Sequence, residues 1–291
     1  MSLIGTLGSG VSALRTFMKG LEVIGNNIAN VNTTGYKSSA ATYTDSFSNV
    51  LQRAAPSTAS ASNTPAIDLG TGVKLGGIST NYAQGSLETT GRGSDLGVSG
   101  EGYFHVRNPI SKTEYATRDG SFRWDDTGNL VTAQGLRVQG LTGAGLGSVG
   151  DIKLSTPPVG TQLQSVSIDK SGNVVEFYSD GTSATINQVQ LQRFTDQSAL
   201  VKEGNNLFSG LVAAGPIGAA AGKLEFQTGG INAPGSNGLG AIQAGTLELS
   251  NVDLTEQFSS LITTQRSFQA GSRLITVSDS VLEDIVNLKR S

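Results

Sequence analysis

Both ends of this chain carry apolar residues at alternating steps of three and four, and the stretch between them does not, which commits the two termini to helices that need partners. The N-terminal series is Leu7, Val11, Leu14, Met18, Leu21, Gly25, Ile28. The C-terminal series is Leu254, Phe258, Leu261, Gln265, Phe268, Ser272, Ile275, Asp279, Leu282, Val286. This is the heptad spacing of helices that pack along their length as a coiled coil, and the apolar members of both series are the expected assembly contacts. At ~1.5 Å per residue, a helix over residues 253–288 would be roughly 50 Å long and one over residues 3–31 about 40 Å. Asp253 followed by Glu256 fits a helix N-cap, and Lys289 and Arg290 suit the negative end of the dipole. At the other helix, the run Asn30, Asn32, Thr33, Thr34 ahead of Gly35 marks the exit.

Charge adds a second constraint. Residues 1–36 hold only Arg15, Lys19 and Glu22, and residues 257–278 only Arg266 and Arg273. A helix with one solvated face normally shows a charged stripe there. Here the off-seam positions are polar but neutral, at Ser259, Ser260, Thr263, Thr264, Ser267 and Gln269, and Ile262, Leu274, Val281 and Leu288 add apolar surface. Each helix is therefore expected to pack on more than one side, as it would inside a polymer. An intramolecular helical hairpin explains the apolar columns but not the scarcity of charge.

The middle of the chain reads as antiparallel β-structure, so the fold class is α+β. Residues 53–64 are small, polar and low in complexity, the mark of a linker or of a loop that needs a neighbour. Strand signals follow at Val73, Leu75 and Ile78, at residues 102–107, and at Val189 and Leu191, which alternate with Gln188, Gln190 and Gln192 as a half-buried strand would. Hairpin turns are expected at residues 118–120, 126–129, 170–173 and 179–181. The expected organisation is a helical domain from residues 1–50 and 251–291, a linker or inter-subunit loop at 51–72, and a central β domain at 73–250.

Composition and motifs argue against chemistry. A net charge of −3 with 15% charged residues gives no footprint for nucleic acid, and no apolar run reaches the ~18 residues of a membrane span. The uncharged, Gly-rich start is not a conventional signal peptide. There is no cysteine and a single histidine, His105, so thiolate and multi-histidine metal sites are excluded. Residues 145–150 fit GxGxxG but precede two prolines instead of a helix, and the Asp-rich turns at 125–129 and 169–173 lack the bidentate Glu of a calcium loop. His105, with Asp95 or Asp119 to orient it, is a formal general base without a nucleophile motif and is expected to point to solvent or to pack at a domain edge. No catalytic, cofactor or metal site is expected.

The motifs themselves carry a resemblance. GNNIANVNTTGYK at residues 25–37 resembles the N-terminal signature of the bacterial flagellar rod and hook proteins, through Asn26, Asn27, Asn30, Asn32, Thr33, Gly35 and Tyr36. DLGVSGEGYF at 95–104, TRDGSF at 117–122, GNLV at 128–131, GNNLF at 204–208, SNVDL at 250–254 and QRSFQA at 265–270 continue it in the family's order. The resemblance implies an axial subunit exported by the organelle's type III apparatus, which is consistent with the lack of a signal peptide. Its terminal helices would form an inner tube around the export channel, with the β domain outside, and its task would be torque transmission. The implied partners are further copies of itself, other axial and junction proteins, the export apparatus, and a cap or chaperone, with no membrane insertion.

Within the family, residues 250–258 and 286–290 look most like the hook protein, which is the preferred reading. The chain is short for a hook subunit, however, and residues 53–68 resemble in position an insertion of the distal rod protein, which is the alternative. A non-flagellar fibre or adhesin on the same plan is a more distant one.

Overall fold

The computed structural model describes residues 3–54, 56, 63–143, 146–217 and 232–288. Of the features read from sequence, residues 55 and 57–62 of the polar segment, Gly145, Lys289 and Arg290 lie outside the described residues. The chain forms two compact units, one from Met1–Ala29, Ser39–Asn81 and Val252–Ser291, the other from Asn30–Ser38 and Tyr82–Asn251.

The first unit is built on α1 (Leu3–Ala29) and α2 (Leu254–Leu288), of 27 and 35 residues. The predicted N-cap is present, since Asp253 Oδ1 accepts from the backbone N–H groups of Thr255 and Glu256. The helices lie side by side and antiparallel: Thr6 meets Ser278, Gly10 faces Ile275, Leu14 faces Gly271, and Asn27 reaches Gln257. A two-stranded ribbon accompanies them. It pairs β1 (Ser39–Asp45) with β4 (Val73–Thr80) and, farther out, β2 (Ser48–Gln52) with β3 (Ile67–Gly70), all antiparallel. Residues 51–52 and 67–70, expected in a linker, are therefore strand. β4 lies along α1, where Thr16 donates to the Val73 carbonyl, Val73 N–H donates to Ser12 Oγ, and Phe17 meets Tyr43 of β1 edge-on at 5.9 Å.

The second unit carries the mostly antiparallel β-structure expected of the middle of the chain. Small pairs join β5 (Leu87–Thr89) to β20 (Thr246–Glu248), and β6 (Leu96–Ser99) to β19 (Ala241–Ala244). The main sheet contains β7 (Tyr103–Arg107), β8 (Glu114–Thr117), β9 (Arg123–Trp124), β10 (Leu130–Val131), β11 (Arg137–Thr142) and β12 (Ser148–Asp151). It continues through β13 (Leu163–Ile168), β14 (Asn173–Tyr178), β15 (Ser183–Val189), β16 (Leu191–Gln192), β17 (Val201–Gly204) and β18 (Leu207–Ser209). Its spine runs β13-β14-β15-β11-β7-β8-β18-β17.

The side-chain alternation of β7 serves two cores. Phe104 and Val106 enter a large cluster with Phe122, Val138, Ile152 and Leu191, whereas Tyr103 enters a smaller one with Phe194, Leu200 and Phe208. Three expected turns do connect paired strands, at β9–β10, β13–β14 and β14–β15. Residues 118–120 do not: β8 pairs with β7 and β18, and β9 with β10. The glutamines of residues 188–192 also depart from expectation. All are buried together with Val189 and Leu191, and their amides donate to Ser171 O (from Gln188), Gln188 Oε1 (from Gln190) and Ile217 O (from Gln192). Hydrogen bonding within the fold replaces the solvent that the alternating pattern implied.

Candidate assembly surfaces

The helix pair uses one of the two predicted columns on each helix. Leu7, Leu14, Leu21 and Ile28 on α1, and Leu261, Phe268, Ile275 and Leu282 on α2, are half-buried. Val11, Met18, Leu254, Phe258 and Val286 are exposed, Met18 and Phe258 each by 50%. The second column lies one residue earlier in both helices: Gly10, Phe17 and Ile24 replace Val11, Met18 and Gly25, and Gln257, Thr264, Gly271 and Ser278 replace Phe258, Gln265, Ser272 and Asp279.

Small and polar residues occupy the deepest positions. The buried residues of the helices, among those described, are Gly10, Thr16, Gly20, Asn27, Gly271 and Ser278. A Cβ at Gly10 would stand 3.1 Å from Ile275 Cγ1, and one at Gly20 would collide with the Tyr43 hydroxyl. Neighbouring side chains press against the glycine backbone there, and large apolar side chains are left over for the outside.

The signature at residues 25–37 divides between the two units. In the first, Asn27 is buried; its Oδ1 accepts from Ser39 N at 2.9 Å and its amide donates to Ser39 O at 2.7 Å and Gln257 Oε1 at 3.0 Å. One side chain thus ties α1, β1 and α2 together. Asn26 lies exposed on α1.

In the second unit, residues 30–38 are strapped to the β-structure by partners from the other motifs. Asn30 O accepts from Thr33 N, Thr34 Oγ1 donates to Asp119 Oδ1, and the Asn206 amide donates to Thr34 O. Gly35 has φ +65°, and a Cβ there would lie 2.8 Å from Arg118 C and Asp119 N. Only glycine fits both constraints. Tyr36 is half-buried under Lys202 Nζ, 5.0 Å from its ring, and Asn32 is exposed.

The deepest feature of that strap is ionic. Lys37 Nζ sits 2.6 Å from Glu248 Oε1, with side chains 1% and 0% exposed, and Arg118 Nη1 reaches Glu248 Oε2 at 3.2 Å. Glu248 also accepts from Gly85 N at Oε1 and from Gly35 N at its carbonyl, and Lys37 donates to Ala83 O. Burial, which Glu248 only partly offsets, holds the Lys37 ammonium below its ordinary value. Asn251 completes the strap, accepting from Ser38 N and donating its amide to Ala83 O. No motif for chemistry includes Glu248; its signal is a lone acid between Leu247 and Leu249.

His105 is buried on β7 and does not point to solvent, and its Nε2 is 3.5 Å from Glu114 Oε2. Asp95 and Asp119, considered as its orienters, hold Thr90 and Ser121 instead. Among the described residues no group of three or more His, Asp or Glu is placed to hold a metal, and no helix is long and apolar enough to cross a membrane. The β2–β3 arm is exposed along its whole length, with Phe47 at its base and Val50, Leu51, Ile67 and Leu69 uncovered.

Three sequence-family profiles match in order: Flagella basal body rod protein at residues 7–37, Flagellar hook protein FlgE/F/G D1 domain at 97–176, and Flagellar basal body rod FlgEFG protein C-terminal at 243–288. The flagellar basal-body rod protein FlgG of Bacillus subtilis is 37% identical over 288 residues, covering 99% of this chain and 100% of that one. FlgG of Caulobacter vibrioides is 31% identical with the same coverage. The flagellar hook protein FlgE of Borreliella burgdorferi is 24% identical over an alignment of 460 residues, covering 99% of this chain and 100% of its own.

Proposed function

Because the chain belongs to the flagellar rod and hook protein family, we propose that it is a rod subunit of the basal body, the distal-rod alternative, and not the hook subunit that its C-terminal sequence favours. It is a structural protein and not an enzyme. The observation that carries the rod reading is the full-length, 37% identical alignment to a protein named for the rod, in which both chains are used almost end to end. The hook relative needs 460 aligned residues to accommodate this chain of 291. Support for the hook as a second reading comes from residues 250–258 and 286–290 and from the 24% identical hook relative.

In this role the terminal helices pair as a coiled coil and polymerise through the faces they leave uncovered, forming a tube around an export channel. Copies of the chain are the main partner, with other axial and junction proteins at the tube's ends and the type III export apparatus and a cap or chaperone during growth. What supports self-association is the set of large apolar side chains left exposed on both helices, including Met18, Phe258, Leu274 and Val277. Electron microscopy of the labelled protein in cells tests the assignment. A straight tube inside the envelope and continuous with the basal body is expected; a curved external polymer would make the hook reading correct.

A further inference from the structure

Leu7, Val11, Arg15 and Lys19 recur every four residues on α1 and, with Val73, Lys74 and Leu75 of β4, line an open groove of about 680 Å³. Its floor is apolar and its rim carries three cations. Lys19 is shared with Glu22 at 2.8 Å, and Lys74 lies 5.9 Å over the Phe47 ring. The groove borders the helix seam at Leu7 and turns away from it through Val11, Arg15 and Lys19, since Gly10 meets α2 while Val11 lies about 100° farther round α1.

The last third of α2 offers the converse surface. Leu274, Val277, Val281 and Ile285 are 41% to 61% exposed and follow one another at steps of three and four, so they form a single apolar stripe. Asp284 borders it, and Asp279, Glu283 and Asp284 are exposed without an ion pair among the described residues. Lys289 and Arg290 follow in sequence, so the attraction rests on where Asp284 stands and not on net charge. Since Thr6 meets Ser278 and Gly10 faces Ile275, the antiparallel register carries Ile285 past the level of Leu3, the first described residue of α1, and Ile285 is 49% exposed.

We propose that the stripe on α2 of one copy lies in the α1–β4 groove of a second copy, with Asp284 of the one beside Arg15 of the other. The apolar stripe supplies attraction and the charge pair sets register. Stripe and groove are different surfaces of the same chain, so a copy whose stripe fills one neighbour's groove still offers its own groove to a third copy, which lets the contact propagate. The inference rests on the polymer reading above and adds the two surfaces that join successive copies.

Charge reversal tests it. Arg15→Glu and Asp284→Arg should each raise the concentration needed for polymerisation about tenfold or more, and the double reversal should restore it to within about threefold. Single reversals that polymerise like the unaltered chain, or a double reversal no better than the singles, overturn the groove assignment. Because the chain has no cysteine, a second measurement avoids dependence on stability. Val11→Cys and Ile285→Cys proteins, mixed and treated with a short bismaleimide, should cross-link in polymer and not in dilute monomer. A normal polymer without that cross-link overturns the groove assignment alone, whereas an unaltered chain that stays monomeric at every concentration overturns the polymer reading beneath it.

Discussion

At Glu248 a fully buried carboxylate faces Lys37 and Arg118, and the same residue accepts backbone N–H groups from both Gly35 and Gly85. Removing its charge leaves two buried cations facing each other. Glu248→Gln is therefore expected to destabilise the β unit by about 3–5 kcal/mol in urea unfolding of the monomer. It should also open the Lys37–Ser38 bond to trypsin. Glu203→Gln, on an exposed carboxylate, should change stability by less than about 0.5 kcal/mol. Gly35→Ala should cost roughly 1–3 kcal/mol by the same assay, because an L side chain is strained at φ +65° and meets backbone atoms that cannot swing aside. A third residue gives a pH signature. The close contact with His105, at 3.5 Å, is the main reason Glu114 titrates below its ordinary value of 4.5, with burial opposing it and the charges of His105 and Arg107 assisting. A carboxylate lowered in the folded state stabilises the fold above its unfolded value, and that contribution is lost as the pH falls through the folded value. His105→Ala should move the Glu114 titration, followed by NMR, upward and remove this part of the acid sensitivity. An unchanged Glu114 titration would break the link. Assembly should survive the substitution, since His105 is buried away from any exposed face.

At the scale of elements, the helices were legible in extent but only half legible in facing. Leu14, Leu21, Phe268 and Ile275 announce a seam because large apolar residues at helical spacing have few other uses in a soluble helix. The second column was invisible because Gly10, Gly271 and Ser278 make room for neighbouring side chains instead of supplying apolar bulk, and the bulk lies one residue along at Val11, Met18 and Phe258. Those residues are exposed for the same reason that they look like core. The two classes should separate experimentally. Phe268→Ala removes part of a packed side chain, so it should lower monomer stability by an amount toward the low end of the roughly 2–5 kcal/mol of a fully buried site. Phe258→Ala should leave monomer stability nearly unchanged while weakening polymerisation, measured by sedimentation of the same preparations. Equal loss of monomer stability in both variants would place Phe258 in the intramolecular seam. The β unit shows the complementary failure: buried Gln188, Gln190 and Gln192 read as solvent-facing because a sequence shows polarity and not hydrogen-bond partners. Likewise Lys37 and Glu248, 211 residues apart, gave no sign of meeting.

At the scale of the whole molecule, the β2–β3 arm carries the mechanical question. An isolated two-stranded ribbon is marginal in water, and this one leaves Val50, Leu51, Ile67 and Leu69 exposed, with no covering layer among the described residues. Such a surface gains stability only when something lies against it, and in a polymer the nearest candidate is a neighbouring copy. An arm bridging neighbours adds contacts that would have to break and re-form whenever one side of a tube shortens against the other. Stiffness follows from that geometry, and a rod that must stay straight while transmitting torque needs it, whereas a hook that bends on every turn does not. Deleting residues 57–63, between the two strands, should leave the helical contacts able to polymerise but yield tubes that curve or bend more readily in electron micrographs. Monomer stability should fall little, because the strands bracketing the deletion are exposed throughout. If the shortened chain forms tubes as straight and stiff as the original, the arm does not stiffen the polymer, and straightness must come from the helices or the β unit. If it fails to polymerise while the monomer stays folded, the arm is itself an assembly contact, and the partition between a helical core that assembles and an arm that stiffens is wrong.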